Sequence, residues 1–266
     1  MFVMQIPGSA CQIVQGCKLA LEQRQTQTCP SCHSRGVLFC SWITGNQEIY
    51  LLAGNTLKRL THSPATDTWP AAAPDGSILF ASDRTGHWEI YRMDENGGHP
   101  APVTRFGAFT THPLPLPNGD LVVASDKDHP GNADPNSADG RYDLFLLDSQ
   151  GTVKQKLTHE GSASSPCRLP DGGILYASNA SGRLEIWLHE KGKNRRITDS
   201  RLKDRQRRVY APVVLPGGRI LVSVHETLRD PRLSSRELRY VASLSLEGKL
   251  VPLTDPHRSN ASTKGY

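Results

Sequence analysis

Short apolar runs recur along the chain, each launched by a glycine-containing turn: VLFCS (37–41), ILFAS (78–82), LVVAS (121–125), ILYAS (174–178) and ILVSV (220–224). A run this short with no polar face suits a strand covered on both sides. A proline precedes each turn, at Pro30, Pro70, Pro113, Pro166 and Pro212, so the pattern repeats every 40–53 residues. In four repeats an acidic, an apolar and an aromatic residue follow: Glu48-Ile49-Tyr50, Glu89-Ile90-Tyr91, Asp143-Leu144-Phe145 and Glu185-Ile186-Trp187. The fifth has Leu238-Arg239-Tyr240 instead. Each repeat closes on a turn and a strand ending in threonine, at Thr61, Thr104, Thr158, Thr198 and Thr254. That makes four short strands per unit, named a, b, c and d, and four antiparallel strands per ~40–50 residues predict a propeller blade.

The expected fold class is therefore all-β: a β-propeller of four-stranded antiparallel blades, one domain over 1–266. Five blades fall at about 29–61, 69–104, 112–158, 165–198 and 211–254. Residues 1–22 fit strands b, c and d of a further blade, and 258–266 stand where its strand a belongs. Six blades are expected, with the ring closed by N- and C-terminal strands and its sheet edges hidden.

The stretches PDGSILFASDRTGHWEIYRMDENGG (74–98) and PDGGILYASNASGRLEIWLHEKG (170–192) resemble the repeats of TolB-type six-bladed propellers. That resemblance implies a stand-alone propeller serving as a binding platform, without the N-terminal α/β domain of TolB proper. No G-x-S-x-G occurs, so the hydrolase domain that some propeller enzymes carry is not expected.

Composition narrows this reading only slightly. A net charge of +5 permits an anionic partner without implying nucleic acid. No apolar run reaches the ~18 residues of a membrane span. The first residues lack the charged start and apolar core of a signal peptide. The chain as given is expected in the cytoplasm, or in the periplasm if the true start lies upstream.

Candidate chemistry gathers where blades depart from the repeat. Cys29-Pro30-Ser31-Cys32-His33 has the C-x-x-C-H spacing of haem attachment, and could equally serve zinc. The repeat places it on strand a, with His33 at a position apolar in the other blades, which favours a core strand with cysteines as small hydrophobes. The insertion at 126–141 carries Asp126, Asp128, Asp134 and Asp139, oxygen ligands of the kind calcium uses, in a composition that turns also favour. No cofactor is expected ahead of these two alternatives. Residues 191–208 hold nine basic and two acidic side chains, including Arg201, Lys203, Arg205, Arg207 and Arg208. Aromatic residues do not interleave them, so base stacking is not supported. The acid that recurs at the start of strand c is expected to accept hydrogen bonds within its own blade.

The long insertions, 126–141, 199–209 and 225–236, all fall in b–c or d–a connections, together with Trp69 and His112. Variable loops on one side of a rigid scaffold suit a binding site. The expected function is a non-enzymatic interaction scaffold that presents this loop-rich, partly basic face, around the propeller channel, to a protein or anionic ligand. Arg201, Lys203, Arg205, Arg207, Arg208, Trp69 and His112 are its candidate contacts. The alternatives are a metal-dependent lyase or hydrolase acting on an acidic sugar or small molecule in the channel, and a c-type haem protein. No catalytic residue is assigned.

Overall fold

The structure, a computed structural model, describes residues 27–129, 141–200, 205–215, 217–228 and 236–254. The chain divides into two compact units, Met1–Lys156 and Leu157–Tyr266. Among the described residues no helix is long and apolar enough to cross a membrane.

The first unit holds three four-stranded antiparallel sheets, each in chain order. Blade 1 comprises β1 (Gln27–His33), β2 (Gly36–Ser41), β3 (Glu48–Ala53) and β4 (Thr56–Arg59). Blade 2 comprises β5 (Asp67–Ala72), β6 (Ile78–Ser82), β7 (Glu89–Met93) and β8 (Ala101–Pro102). Blade 3 comprises β9 (Thr110–Pro115), β10 (Leu121–Ser125), β11 (Asp143–Leu147) and β12 (Val153–Lys156). The second unit holds two more. Blade 4 comprises β13 (Ser164–Arg168), β14 (Ile174–Ser178), β15 (Glu185–Glu190) and β16 (Lys193–Arg196). Blade 5 comprises β17 (Arg205–Val214), β18 (Ile220–Leu228), β19 (Arg236–Leu244) and β20 (Leu250–Pro252). The fold is thus an all-β propeller type built of four-stranded antiparallel blades. The described residues form five blades where six were expected, and the segments 1–22 and 258–266 assigned to the sixth lie outside them.

The apolar runs behave as their pattern predicts. All five residues of β6, β10 and β14 are buried, and β6 meets a neighbouring blade on both faces. Leu38, Ile49 and Leu51 of blade 1 pack on Ile78, Phe80, Tyr91 and Met93 of blade 2. Leu79, Ala81 and Ile90, on the opposite face of blade 2, pack on Leu121, Val123, Phe145 and Leu147 of blade 3. Within the second unit, Leu175, Ala177, Ile186 and Leu188 meet Ile220, Val222, Val224, Ala242 and Leu244. At ~1.5–3 kcal/mol per buried large apolar side chain, these interfaces dominate the stability of each unit.

The c–d turns of blades 2 and 3 pack so closely that glycine is required. A Cβ on Gly97 would run into the carbonyl oxygen of Leu60, and one on Gly151 into that of Val103. In blades 2 and 3 this turn therefore seats directly on the residue that follows the last strand of the blade before it.

The recurring acid also proves structural. Glu89, 4% exposed, accepts hydrogen bonds from the Thr104 hydroxyl (2.5 Å) and the Gly107 amide (2.7 Å). Glu48 does the same for Thr61 (2.5 Å) and the Ser63 amide (3.0 Å), and Glu185 for Thr198 and the Ser200 amide. One carboxylate thus ties strand c to the end of strand d and to the loop beyond it.

Candidate binding surfaces

Blade 5 departs from the repeat. Its strands β17, β18 and β19 run 10, 9 and 9 residues, against 5–6 for β5, β6 and β7. Residues 205–209 and 225–228, expected in loops, are therefore strand, as are 236–239. They pair as a three-stranded ribbon continuous with the blade: Arg208 lies opposite His225 and His225 opposite Arg239, while Arg207 lies opposite Glu226 and Glu226 opposite Leu238.

The register also corrects which residue of blade 5 matches the acid. Ile220 pairs with Leu244 as Ile78 pairs with Met93, so Tyr240, opposite Val224, stands where Glu89 stands opposite Ser82. The carboxylate has moved to strand b as Glu226, 2% exposed. It takes a 2.5 Å ion pair from Arg207 Nε and a 2.9 Å hydrogen bond from the Tyr240 hydroxyl. The acid is retained; its sequence position is not.

Residues directly opposite on a ladder share a face. The row Arg207, Glu226 and Leu238 points inward, and the charge of Arg207 is spent on Glu226. The row Arg208, His225 and Arg239 lies on the other face, with Arg208 and Arg239 exposed and His225 half-buried. Glu237 approaches that row, 3.5 Å from His225 Nε2 and 3.8 Å from Arg239 Nη2. Of the sequence candidates, Arg208 is thus on the outward face and Arg207 is not. Arg205 lies on β17 with its side chain outside the described residues, as do Arg201 and Lys203 altogether. Upstream, much of the basic charge serves the scaffold: Arg195 donates to the Leu246 carbonyl, Arg196 pairs with Asp199 and Arg183 donates to the Ser200 carbonyl. Sequence reasoning missed His225 and Arg239, because neither lies in the basic run; only the ladder brings them beside Arg208.

Trp69 and His112 occupy one position of strand a in successive blades. Each precedes a proline and adopts a left-handed φ, 48° and 51°, where the pairing of strands a and b slips. Ser165 and Ala211 do the same in the second unit, at 51° and 50°. Proline lacks a donor and sits on this edge strand at a bulge, which re-aims the residue before it. In the first unit the bulges bring the Trp69 and His112 rings within 4.5 Å, and Trp69, Trp88, Phe109 and Tyr142 continue edge to edge at 5.5–5.8 Å. Thr111 Oγ1 lies 2.9 Å from His112 Nδ1. Burial pushes the His112 imidazole down to about 4, so the ring is neutral at pH 7.

Of the proposed metal ligands, the described Asp126 and Asp128 engage different partners. Asp126 is buried and accepts the Phe109 amide at 2.7 Å, and burial raises its carboxyl. Asp128 faces Lys127 (2.8 Å) and Lys156 (2.7 Å), which hold it down to about 2. Asp134 and Asp139 lie outside the described residues. Cys32 and His33 sit on β1, as the repeat predicts. His33 is buried, accepting the Arg35 amide on Nδ1 at 3.2 Å with Nε2 3.5 Å from the Gly76 carbonyl. Cys32, expected in the core, is exposed; it alternates with buried His33 along the strand. The Cys29 side chain is outside the described residues. Cys40 is buried, and Cys167 is half-buried with its thiol pushed up to about 12 by burial. Among the described residues no three His, Cys, Asp or Glu side chains are grouped so as to hold a metal ion.

Comparison with known proteins matches residues 26–134 to the TolB beta propeller domain family. An uncharacterized protein of Agrobacterium fabrum is 32% identical over 117 residues, covering 43% of this chain and 40% of that protein. The Tol-Pal system protein TolB of Bordetella pertussis is 44% identical over 55 residues, 19% of this chain and 13% of that protein. The crystal structure of TolB from Acinetobacter baumannii superposes with a TM-score of 0.63 at 21% identity, over 85% of this chain and 53% of that one. The matched segments span 27–40% of the length of the first curated relatives.

Proposed function

We propose that the chain is a TolB-type β-propeller and works as a non-enzymatic interaction scaffold whose basic ribbon in blade 5 meets an acidic protein partner. The observation that carries this reading is the outward row of Arg208, His225 and Arg239, built by strands that outrun those of blade 2. A rigid blade holding cations in a row offers charge complementarity without ordering a loop on binding. The likeness to a Tol-Pal system protein supports a protein partner and favours the periplasmic setting over the cytoplasmic one. Arg201, Lys203 and Arg205 extend the same basic surface in this proposal, and Trp69 with His112 supplies an aromatic ledge on the first unit.

The sixth blade is part of the same proposal, formed by residues 1–22 and 258–266. Its support lies in blade 1. Phe39 and Tyr50 stack at 5.8 Å on the face turned away from blade 2, matching the Phe80–Tyr91 pair that blade 2 lays on blade 1. An aromatic face of this kind belongs against another blade.

The test of function is capture from a cell extract with the wild-type chain and with the Arg208→Glu/Arg239→Glu variant. Partners held by the wild type and lost by the variant support the ribbon as the docking surface. The same partners held equally by both would remove it.

A further inference from the structure

At the end of blade 5 opposite the ribbon, a cleft of about 540 Å³ opens between the turns of blades 4 and 5. Its origin is readable against blades 2 and 3. There the same turns are bridged by ion pairs, Arg92 to Asp75 and Lys154 to Asp120. In blade 5, Gly217 stands where Asp75 does, and Ser243 where Arg92 does, by the register of Leu79 with Arg92 and Leu221 with Ser243. The two side chains that pair across the turns of blade 2 are thus absent from blade 5, and among the described residues no ion pair links its turns.

What remains is an amphipathic cleft. Leu169, Ile220 and Leu244 form a buried apolar floor, and Val251, 45% exposed, stands open at the edge. Arg219 and Lys249 lie at the mouth, and among the described residues neither pairs with a carboxylate. Asp171 is also at the rim, its Oδ1 occupied by the Gly173 amide at 3.0 Å. The volume falls in the range of small-molecule sites, which combine an apolar lining with a few polar groups that orient the ligand.

We propose that this cleft is a second binding site, for an organic anion made of an apolar chain ended by a carboxylate. The chain lies on Leu169, Ile220 and Leu244, and the carboxylate meets Arg219 and Lys249. The site does not depend on the basic ribbon, and it departs from the repeat by loss of side chains rather than by insertion of residues.

Three probes test it by titration calorimetry, with methyl NMR to place the ligand: decanoate, decyltrimethylammonium and acetate. Decanoate should bind and shift the methyl signals of Leu169, Leu244 and Val251, while the other two do not bind there. Arg219→Gln/Lys249→Gln should weaken decanoate about tenfold, since each exposed charge contact is worth up to ~1 kcal/mol. Ser243→Phe, which refills the cleft, should abolish binding; circular dichroism and an unchanged Tm confirm that both variants are folded. No decanoate binding, equal binding of the cationic probe or of acetate, or full binding by folded Ser243→Phe would each overturn the proposal.

Discussion

Arg207 and Arg208 are neighbours in sequence with opposite assignments, and substituting each by methionine separates them. Arg207→Met removes the guanidinium 2.5 Å from Glu226, whose side chain is 3% exposed. It takes a full countercharge from a buried carboxylate, which keeps the neutral hydroxyl of Tyr240. Breaking a buried pair on one side costs about 3–5 kcal/mol. Arg207 is itself 20% exposed, so water reaches the gap and a cost at or just below the floor of that range, about 2–3 kcal/mol, is expected. Arg208→Met alters an exposed side chain and should stay within about 0.5 kcal/mol of wild type. Arg207→Met/Glu226→Met removes the carboxylate as well and should recover most of the loss. Urea unfolding with an unchanged slope reads all three. A cost for Arg208→Met as large as that for Arg207→Met, or a neutral Arg207→Met, would refute the division of labour drawn here.

The half-buried imidazole of His112 gives a pH signature. Its folded value of about 4 lies below the ordinary 6.5, so the unfolded chain takes the proton first. Stability is then complete above pH ~6.5 and falls as pH drops toward ~4, by about 1–2 kcal/mol for a half-buried ring. His112→Asn, which tolerates the left-handed backbone, should flatten that part of the pH–Tm curve. Gly151→Ala should cost about 2–4 kcal/mol because its Cβ meets the Val103 carbonyl, whereas Gly119→Ala, with similar φ (+87°) but open space, should cost about 1 kcal/mol. Glu89→Ala strands the Thr104 hydroxyl and the Gly107 amide and should cost about 2–4 kcal/mol, against about 1 kcal/mol for Tyr240→Phe at the matching place in blade 5. Chemical denaturation measures each of these.

The blades were legible because their signals are local. A glycine turn, a five-residue apolar run and an acid three strands deep in the pattern specify strand order without reference to distant residues. Blade 5 shows the limit. Leu238-Arg239-Tyr240 imitates the acid–apolar–aromatic triplet by ending on an aromatic, yet the ladder sets Tyr240, two residues later than the triplet suggests, at the acid's place. Only pairing with Ile220–Leu228 reveals it. The bulges at Trp69 and His112 were likewise hidden: the proline was visible, but the slip in pairing belongs to two strands at once. Charge in the basic run did not reveal its use, since Arg195, Arg196 and Arg207 serve the scaffold. The cleft escaped notice because it follows from small side chains at Gly217 and Ser243, and sequence patterns advertise what is present.

The most direct test of the central claim is the binding of a fluorescent poly-glutamate chain across a salt series. Wild type should bind, with affinity falling as salt rises, because the cations involved are exposed and screened. Arg208→Gln/Arg239→Gln should bind about tenfold more weakly and lose much of its salt dependence, while Arg219→Gln/Lys249→Gln, at the other end of blade 5, should match wild type. Equal affinity and equal salt dependence for wild type and Arg208→Gln/Arg239→Gln would contradict the assignment of the ribbon as the interaction surface.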